Sequence, residues 1–330
     1  MGSQPGVSQQ PTSSHTHGAL LNEPKQSEGE KIAVQDSLGN AELASLLISK
    51  ARGIKMLSDV AVKAIAIADN PNSDIQDLVS VVGHDLKLAT SILSLANSRL
   101  FPVYCTGEPL SCLKMAITRL GFQKTKQMIL VSSYSSTIAK LSPNAKNARK
   151  NFTKHSFLTG CVCIELNKLF GLDIQGEEFT AGLIHDIGRL LLLAALPDQF
   201  LKVDKMDFRE QESLLEQEME VFGTTHAKVG GWFLRKNQVP EELVTVAKHH
   251  HDPTASEKYT RLVVLVAIAD HMANSCSENM AAPEEYEYPV VDNLKLLEML
   301  GATDAAQILE NDWSEVFRRA IEACKQIIKF

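Results

Sequence analysis

Residues 181 to 191 read Ala-Gly-Leu-Ile-His-Asp-Ile-Gly-Arg-Leu-Leu, an apolar helical run that His185, Asp186 and Arg189 interrupt. Burial of an imidazole and a carboxylate in such a run costs free energy unless the groups are paired or bind a metal ion. Neighbouring residues on a regular helix point about 100° apart. The His185-Asp186 pair therefore suits metal ions that lie beside the helix and are bracketed by both side chains.

Other histidines and one further aspartate extend this pattern. Most of the ten histidines lie after residue 150, and Asp270 lies in a second apolar run. For His185-Asp186 or for Asp270 alone, a hydrogen-bonded polar pair in the core explains the sequence as well as a metal does. The full ordered set favours a metal, and imidazole with carboxylate suits Zn, Fe, Mn or Ni. The set comprises His155, His185, Asp186, His226, the triplet His249, His250 and His251, and Asp270.

Apolar residues recur at helical spacing from residue 40 onward, and no stretch shows the sustained alternation that is typical of strands. The sequence therefore predicts an all-α protein, a multi-helix bundle with a packed helical N-terminal half. Predicted helices cover 41–53, 59–69, a segment after Ser73, 85–98, 111–120, 124–141, 145–170, 176–196, 207–221, 225–237, 240–250, 259–275, 292–300 and 304–330.

Composition divides the chain into regions. Residues 1–40 are rich in Ser, Gln, Pro, Gly and Thr and poor in large apolar groups, so we expect a disordered tail, with His15 and His17 solvated. Residues 142–144, Ser-Pro-Asn, predict a hinge between an N-terminal half, 41–142, and a second half, 145–275. Residues 276–330 predict a C-terminal helical extension.

The bulk composition argues against several classes of protein. The apolar fraction of 44% supports a large core, while the net charge of −7 gives no global attraction to nucleic acid or anionic membranes. The longest apolar stretches, 190–196 and 262–269, fall short of the ~18 residues of a membrane span. The N-terminus is polar, and the six scattered cysteines indicate free thiols in a reducing compartment. We therefore expect a cytoplasmic protein.

The ordered histidines and aspartates resemble the signature of the HD superfamily, a helical fold of metal-dependent phosphohydrolases. His226 and the His250-His251 pair resemble the additional ligands of the HD-GYP branch, which hydrolyses cyclic dinucleotides. The chain departs from that branch after His251, where it reads Asp-Pro-Thr-Ala-Ser without Gly-Tyr-Pro. Arg189 also stands where the branch usually has Lys.

Segments in both halves resemble the HDOD family of bacterial signalling proteins more closely. The resemblance covers roughly residues 41–275 and implies a regulatory module, in a family where many members lack some HD ligands and have no established catalytic activity. This chain keeps nearly the whole set. The matching segments are LANS at 95–98, AITRLG at 116–121, FTAGLIHDIG at 179–188 and VPEEL at 239–243.

Two hypotheses follow for function. The first is a regulator in signal transduction, in which a divalent metal, as one ion or two, or a nucleotide biases contacts with a signalling partner protein. The second is a metal-dependent phosphohydrolase or phosphodiesterase, in which Asp186 bridges two ions. His155, His185 and Asp270 would then serve one ion and the three histidines at 226, 250 and 251 the other, while the metals activate a water and Arg189 neutralises developing charge. The remaining interpretation is a structural helical scaffold whose histidines are vestigial.

The remaining residues of the region receive more ordinary interpretations. By the family pattern we assign His249 to solvent, and we interpret the acidic cluster 210–220 as a solvated helix face. Arg189 fits two roles equally, a bidentate contact to phosphate or an ion pair with a carboxylate. Because the loop at 252–258 has no glycine or aromatic residue to hold a nucleobase, we expect little or no activity on cyclic di-GMP.

Overall fold

The computed structural model describes residues 1–2, 41–51, 55–97, 109–141, 146–174, 176–208, 213–275, 290–301 and 304–328. Within these ranges all regular secondary structure is helical, which confirms the predicted all-α fold. The first helices are α1 (Ala41–Ala51), α2 (Asp59–Asp69), α3 (Ile75–Gly83), α4 (Leu86–Ala96) and α5 (Leu113–Leu141). They are followed by α6 (Lys146–Phe170), α7 (Glu177–Ile184), α8 (Ile187–Ala195), α9 (Pro197–Val203), α10 (Leu214–Phe222), α11 (His226–Lys236), α12 (Glu241–His249), a 3₁₀ turn (Pro253–Ala255), α13 (Thr260–Asn274), α14 (Val290–Leu300) and α15 (Ala305–Ile328).

Helices α2, α3 and α4 pack against α5 to form the N-terminal half. Local capping sets their starts: the Ser58 hydroxyl accepts from the backbone N–H of Ala61, and Asp74 forms a capping box with Asp77. Helix α5 is kinked at Gly121, whose φ of 73° lies in the left-handed region that glycine tolerates. The sequence predicted a helix end at this glycine.

Helix α6 is the centre of the second half, where it packs against α7, α13 and α15. Helix α8 packs against α11 and also against α1, while α5 contacts both α7 and α8. The two halves therefore share packed surfaces at α7 and α8, the helices that flank the His-Asp pair. No helix in the described ranges combines the length and apolar character that a bilayer span requires.

Several predicted boundaries differ from the structure. The helix predicted at 176–196 is two helices, α7 and α8, and the one predicted at 207–221 begins at Leu214. Met206 and Phe208, which lie before it, have left-handed backbone with φ values of 55° and 54°. Residues 197–203 form a helix that the sequence analysis did not predict. Among the described cysteines, Cys161, Cys163 and Cys324 are buried and Cys112 is exposed. Residues 3–40, the hinge at 142–144, Cys105 and Cys276 lie outside the described residues.

Two close helix crossings depend on glycine. Where α7 crosses α6, a Cβ added to Gly182 would lie 2.8 Å from the Cα of Gly160. Where α8 crosses α11, a Cβ on Gly188 would overlap the carbonyl oxygen of His226 and lie 2.8 Å from the backbone nitrogen of Gly230. These contacts involve backbone atoms, which cannot move aside as a flexible side chain can. The glycines therefore set the helix separations on both sides of the His-Asp pair.

Replacement of Gly188 by alanine should destabilise the fold, because the added methyl group meets backbone rather than free space. We expect a loss of about 1–3 kcal/mol in the free energy of unfolding, measured by urea denaturation. Gly83→Ala is the matched control, since a Cβ there meets nothing within 4 Å. Equal stability of the two variants would contradict the role assigned to the α8–α11 crossing.

Candidate metal centre

Seven imidazole and carboxylate side chains from separate parts of the fold meet at one point. Six of them are 5% exposed or less, and His251 is half-buried. His155 lies in α6 and Asp270 in α13, while His185 and Asp186 lie at the junction of α7 and α8. His226 begins α11, and His250 and His251 follow the end of α12.

A helix break places the His-Asp pair. Helix α7 ends at Ile184 and α8 begins at Ile187, and Asp186 has φ −98° and ψ 12°, outside the α-helical region. The sequence analysis placed the pair on one continuous helix. In the structure the pair lies instead between two helices. Because of the break, Nε2 of His185 lies 3.6 Å from Oδ2 of Asp186, so that two adjacent residues point to the same place.

Hydrogen bonds at Nδ1 orient three of the rings. Nδ1 of His185 lies 2.7 Å from the carbonyl oxygen of Gly182, and Nδ1 of His250 lies 3.1 Å from that of Ala247. Since a carbonyl oxygen can only accept, both Nδ1 atoms donate, and the Nε2 of each neutral ring keeps its lone pair. Nδ1 of His226 similarly faces a carboxylate. The Nε2 atom of each of these three rings points toward an aspartate oxygen.

The first group of candidate ligands combines Asp186 with three histidines. Oδ1 of Asp186 lies 3.1 Å from Nε2 of His226 and 3.3 Å from Nε2 of His250. Nε2 of His226 lies 2.9 Å from Nε2 of His251. Ligands about 2.0–2.1 Å from a tetrahedral ion are about 3.3 Å apart, so this spacing suits a single ion. We call this group the histidine-rich position.

The second group lies on the other side of Asp186. Oδ1 of Asp270 is 3.0 Å from Nε2 of His155 and 3.4 Å from Nε2 of His185. Oδ2 of Asp186 lies 3.9 Å and 3.6 Å from the same two Nε2 atoms. We call this group the carboxylate-rich position. Asp186 thus directs one oxygen toward each position, as a bridging carboxylate would.

The residues fit a divalent cation. Oδ1 of Asp186 and Nε2 of His250 are buried and make no hydrogen bond with any described residue, although they are 3.3 Å apart. Two facing lone pairs in a buried site are unfavourable, because neither atom has a proton to share. A metal ion between them would satisfy both atoms.

The charge states of five of these side chains suit a metal, whereas the carboxylates of Asp186 and Asp270 outweigh burial and raise the pKa of His185. Burial would raise the pKa values of Asp186 and Asp270, but nearby imidazoles, and Arg189 in the case of Asp186, hold them well below the usual range. Burial lowers the pKa values of three rings, those of His155, His250 and His251. At neutral pH the carboxylates are therefore ionised and these rings neutral, as metal ligation requires.

A family model of the HDOD domain matches residues 54–253, which is more than half of the chain. The chain belongs to the HDOD family. An uncharacterised protein of Treponema pallidum (strain Nichols) is 24% identical over 235 residues, or 69% of this chain and 44% of that protein. The chain thus spans less than half the length of this relative.

Solved structures with low sequence identity have the same fold. A candidate phosphohydrolase of Shewanella amazonensis SB2B superposes with a TM-score of 0.64 at 20% identity, covering 86% of this chain and 98% of that one. A candidate signal transduction protein of Marinobacter aquaeolei VT8 gives a TM-score of 0.63 at 17% identity, covering 90% and 65%. At these identities the likeness establishes the HDOD fold alone.

Glu218 is a part of this HDOD pocket that the sequence analysis missed, because it assigned residues 210–220 to a solvated face. The Glu218 side chain is fully buried. Its oxygens lie 2.9 Å from Nδ1 of His226, and one accepts from the backbone N–H of His226 at 2.8 Å. The spacing from Leu214 and Phe222, four residues to either side and both buried, could have revealed its position.

Arg189 makes the carboxylate contacts that the sequence left as one of two alternatives. Its Nη1 donates to Oδ2 of Asp186 at 2.9 Å, and its Nε donates to Oδ2 of Asp204 at 2.7 Å. Its guanidinium carbon lies 4.2 Å from the centre of the Phe208 ring. Because the helix breaks before it, Arg189 lies in α8 and does not share a helix with His185.

The other histidines that the structure describes lie outside the two ligand groups. The sequence analysis assigned His249 to solvent; in the structure it is half-buried and belongs to no group of potential metal ligands among the described residues. His84 ends α3, where its Nδ1 lies 2.6 Å from the carbonyl oxygen of Ser80. These residues provide controls for substitutions within the pocket.

Removal of the Glu218 carboxylate should weaken metal binding, because Glu218 orients His226 and increases the basicity of its ring. We expect Glu218→Ala to reduce affinity by about 10- to 100-fold, measured by competition with a chelator. Glu220→Ala, a change at an exposed residue of the same helix, should leave affinity unchanged. Equal affinities for the two variants would remove the supporting role of Glu218.

Metal affinity should rise with pH. Burial would lower the pKa of His226, but the carboxylates of Glu218 and Asp186 outweigh burial and raise it to about 10. At neutral pH a metal must therefore displace a proton from His226, so affinity increases as protons become scarcer. Calorimetry in buffers of different ionisation enthalpy should detect proton release on binding. Affinity that does not change between pH 6 and 8 would contradict this.

Proposed function

We propose that this HDOD protein is a regulator in signal transduction whose buried histidine–aspartate pocket binds a divalent metal. In this proposal the metal-bound and metal-free proteins differ in their association with a signalling partner protein. Iron, manganese, zinc and nickel all suit a donor set of imidazoles and carboxylates. The family supports a regulatory role, and the geometry of the pocket supports the metal.

The burial of the candidate ligands is the observation that carries this proposal. Six of the seven are 5% exposed or less, so a phosphoester has little access to an ion that they hold. Arg189, the cation beside the pocket, is already paired with Asp186 and Asp204. An enzyme must admit its substrate to the ion and needs a cation that is free to contact it. A buried ion beside an arginine that is already paired with carboxylates suits a sensor or a stabilising element better.

The names of the two structural relatives are consistent with both hypotheses for function. One is a candidate signal transduction protein, and the other is a candidate phosphohydrolase. The alternative function, a metal-dependent phosphohydrolase or phosphodiesterase, is favoured by one feature of the pocket. Asp186 is shared between two ligand groups, as in enzymes that use paired ions to attack phosphoesters.

Elemental analysis of the full chain, purified without an affinity tag, tests the proposal. We expect wild-type protein and His249→Ala to retain divalent metal and Asp186→Ala to lose it, because Asp186 directs one oxygen toward the histidine-rich position and the other toward the carboxylate-rich position. His249→Ala is the matched control, since His249 lies next to His250 but outside the groups. Retention of metal by Asp186→Ala would place the ion elsewhere and contradict the proposal.

A second measurement separates the regulator from the enzyme. Metal-stripped protein is supplied with Mn, Fe or Ni and assayed against cyclic dinucleotides and an aryl phosphodiester. We expect no multiple turnover with any of the three metals. Sustained turnover that Asp186→Ala abolishes would replace the regulatory proposal with the phosphohydrolase.

A further inference from the structure

We propose that the two ligand groups bind metal unequally, and that Arg189 is the residue that makes them unequal. The histidine-rich position, formed by Oδ1 of Asp186 with His226, His250 and His251, would fill first. The carboxylate-rich position, formed by Oδ2 of Asp186 with His155, His185 and Asp270, would bind much more weakly. This inference rests on the proposed metal-binding function and specifies how the pocket is occupied.

The two oxygens of Asp186 have different partners. Oδ2 accepts a hydrogen bond of 2.9 Å from Nη1 of Arg189, so part of its electron density is already engaged by a cation. Oδ1 makes no hydrogen bond with any described residue and faces the Nε2 atoms of two imidazoles. An ion at the histidine-rich position therefore meets an oxygen whose neighbours are imidazoles, which can give up a proton and become ligands. An ion at the other position competes with the permanent positive charge of Arg189.

Arg189 is held in this arrangement. Its Nε donates to Asp204 at 2.7 Å, and the second oxygen of Asp204 accepts from the backbone N–H of Met206 at 2.7 Å. The Phe208 ring lies 4.2 Å from the guanidinium and is stacked on the His155 ring, with centroids 4.0 Å apart and planes 12° apart. The guanidinium therefore cannot leave Oδ2 without disturbing the Asp204–Phe208 segment that covers His155.

The surrounding residues support the two positions to different degrees. Two rings of the histidine-rich position have acceptors at Nδ1, Glu218 for His226 and a backbone carbonyl for His250. Such acceptors orient the ring and increase its basicity. Nδ1 of His155, in the carboxylate-rich position, has no hydrogen-bond partner among the described residues. His251 is also the ligand with the greatest exposure, so the histidine-rich position is the one nearest to solvent.

The carboxylate-rich position has one compensating feature, the additional negative charge of Asp270. The positive charge of Arg189 opposes that advantage, and the guanidinium lies on the same side of Asp186. The prevailing state at limiting metal is therefore one ion per chain. A single ion serves a sensor, whereas phosphoester hydrolysis by paired ions requires both positions to be filled.

The test is calorimetric titration of the metal-stripped full chain with Zn²⁺ or Mn²⁺. We expect one tight equivalent and a second that binds about 10- to 100-fold more weakly, in keeping with the effect of groups that contact a ligand from outside the metal shell. His251→Ala should weaken the tight equivalent, whereas His155→Ala should leave it in place. Both variants remove one imidazole from the same pocket, so each variant is the control for the other.

Arg189→Met tests the cause, because methionine keeps an unbranched apolar side chain and loses the charge and the donors. We expect the second equivalent to bind about 10-fold more tightly, in protein whose thermal unfolding remains cooperative. An unchanged affinity of the second equivalent in Arg189→Met would remove Arg189 as the cause of the inequality. The two histidine variants test the order of filling independently of Arg189.

Two results would overturn the inference while the metal-binding function stands. One is a wild-type titration with two equivalents of equal affinity. The other is loss of the tight equivalent in His155→Ala together with its retention in His251→Ala. Absence of any binding to wild-type protein would instead overturn the proposed function, and this inference with it.

Discussion

The carboxylate of Asp186 is a buried negative charge, 1% exposed, at the break between α7 and α8, and the polar contacts of the second half are arranged around it. A guanidinium contacts one oxygen and two imidazoles face the other. Removal of one partner from a buried charge typically costs about 3–5 kcal/mol. The helices that carry these partners therefore have to meet at this point, and the close glycine crossings allow them to do so.

The same constraint connects the pocket to the rest of the chain. Asp186 is paired with Arg189, Arg189 is paired with Asp204, and Asp204 holds the backbone of Met206. Phe208 then covers the His155 ring. Because α8 also packs against α1 and α5, a change in charge at Asp186 acts on a helix that contacts the N-terminal half. Under the proposed function, this packing connects metal binding in the pocket to the N-terminal half.

Arginine at position 189 distinguishes this pocket from one that is prepared for a phosphate. A guanidinium can bind a carboxylate or a phosphate with the same pair of donors, so a contact with one excludes the other. Here two carboxylates occupy the donors, and the Phe208 ring covers the guanidinium. This arrangement adds to the burial of the ligands as a reason for proposing a regulator and not an esterase.

The helical fold and the chemical types in the pocket were predictable because they are local properties of the sequence. Apolar spacing predicts a helix such as Asp59–Asp69, and a polar residue within an apolar run, such as Asp270, indicates a buried polar site. The break at Gly121 also followed from a single residue. Local spacing also indicated that Glu218 is buried, because it lies four residues from both Leu214 and Phe222 on one helix face. The sequence analysis nevertheless assigned it to a solvated face.

The partner of each atom could be decided only by tertiary structure. The sequence by itself determined that an arginine would stand near the His-Asp pair, but not whether it would contact a phosphate or a carboxylate. The contact with carboxylates depends on Asp204, which follows the end of α9, and on the helix break that turns Asp186 toward Arg189. Glu218 and His226 likewise meet only because the turn between α10 and α11 brings them together. Helical periodicity is set by neighbouring residues, whereas hydrogen-bond pairing in a buried site is set by how distant segments pack.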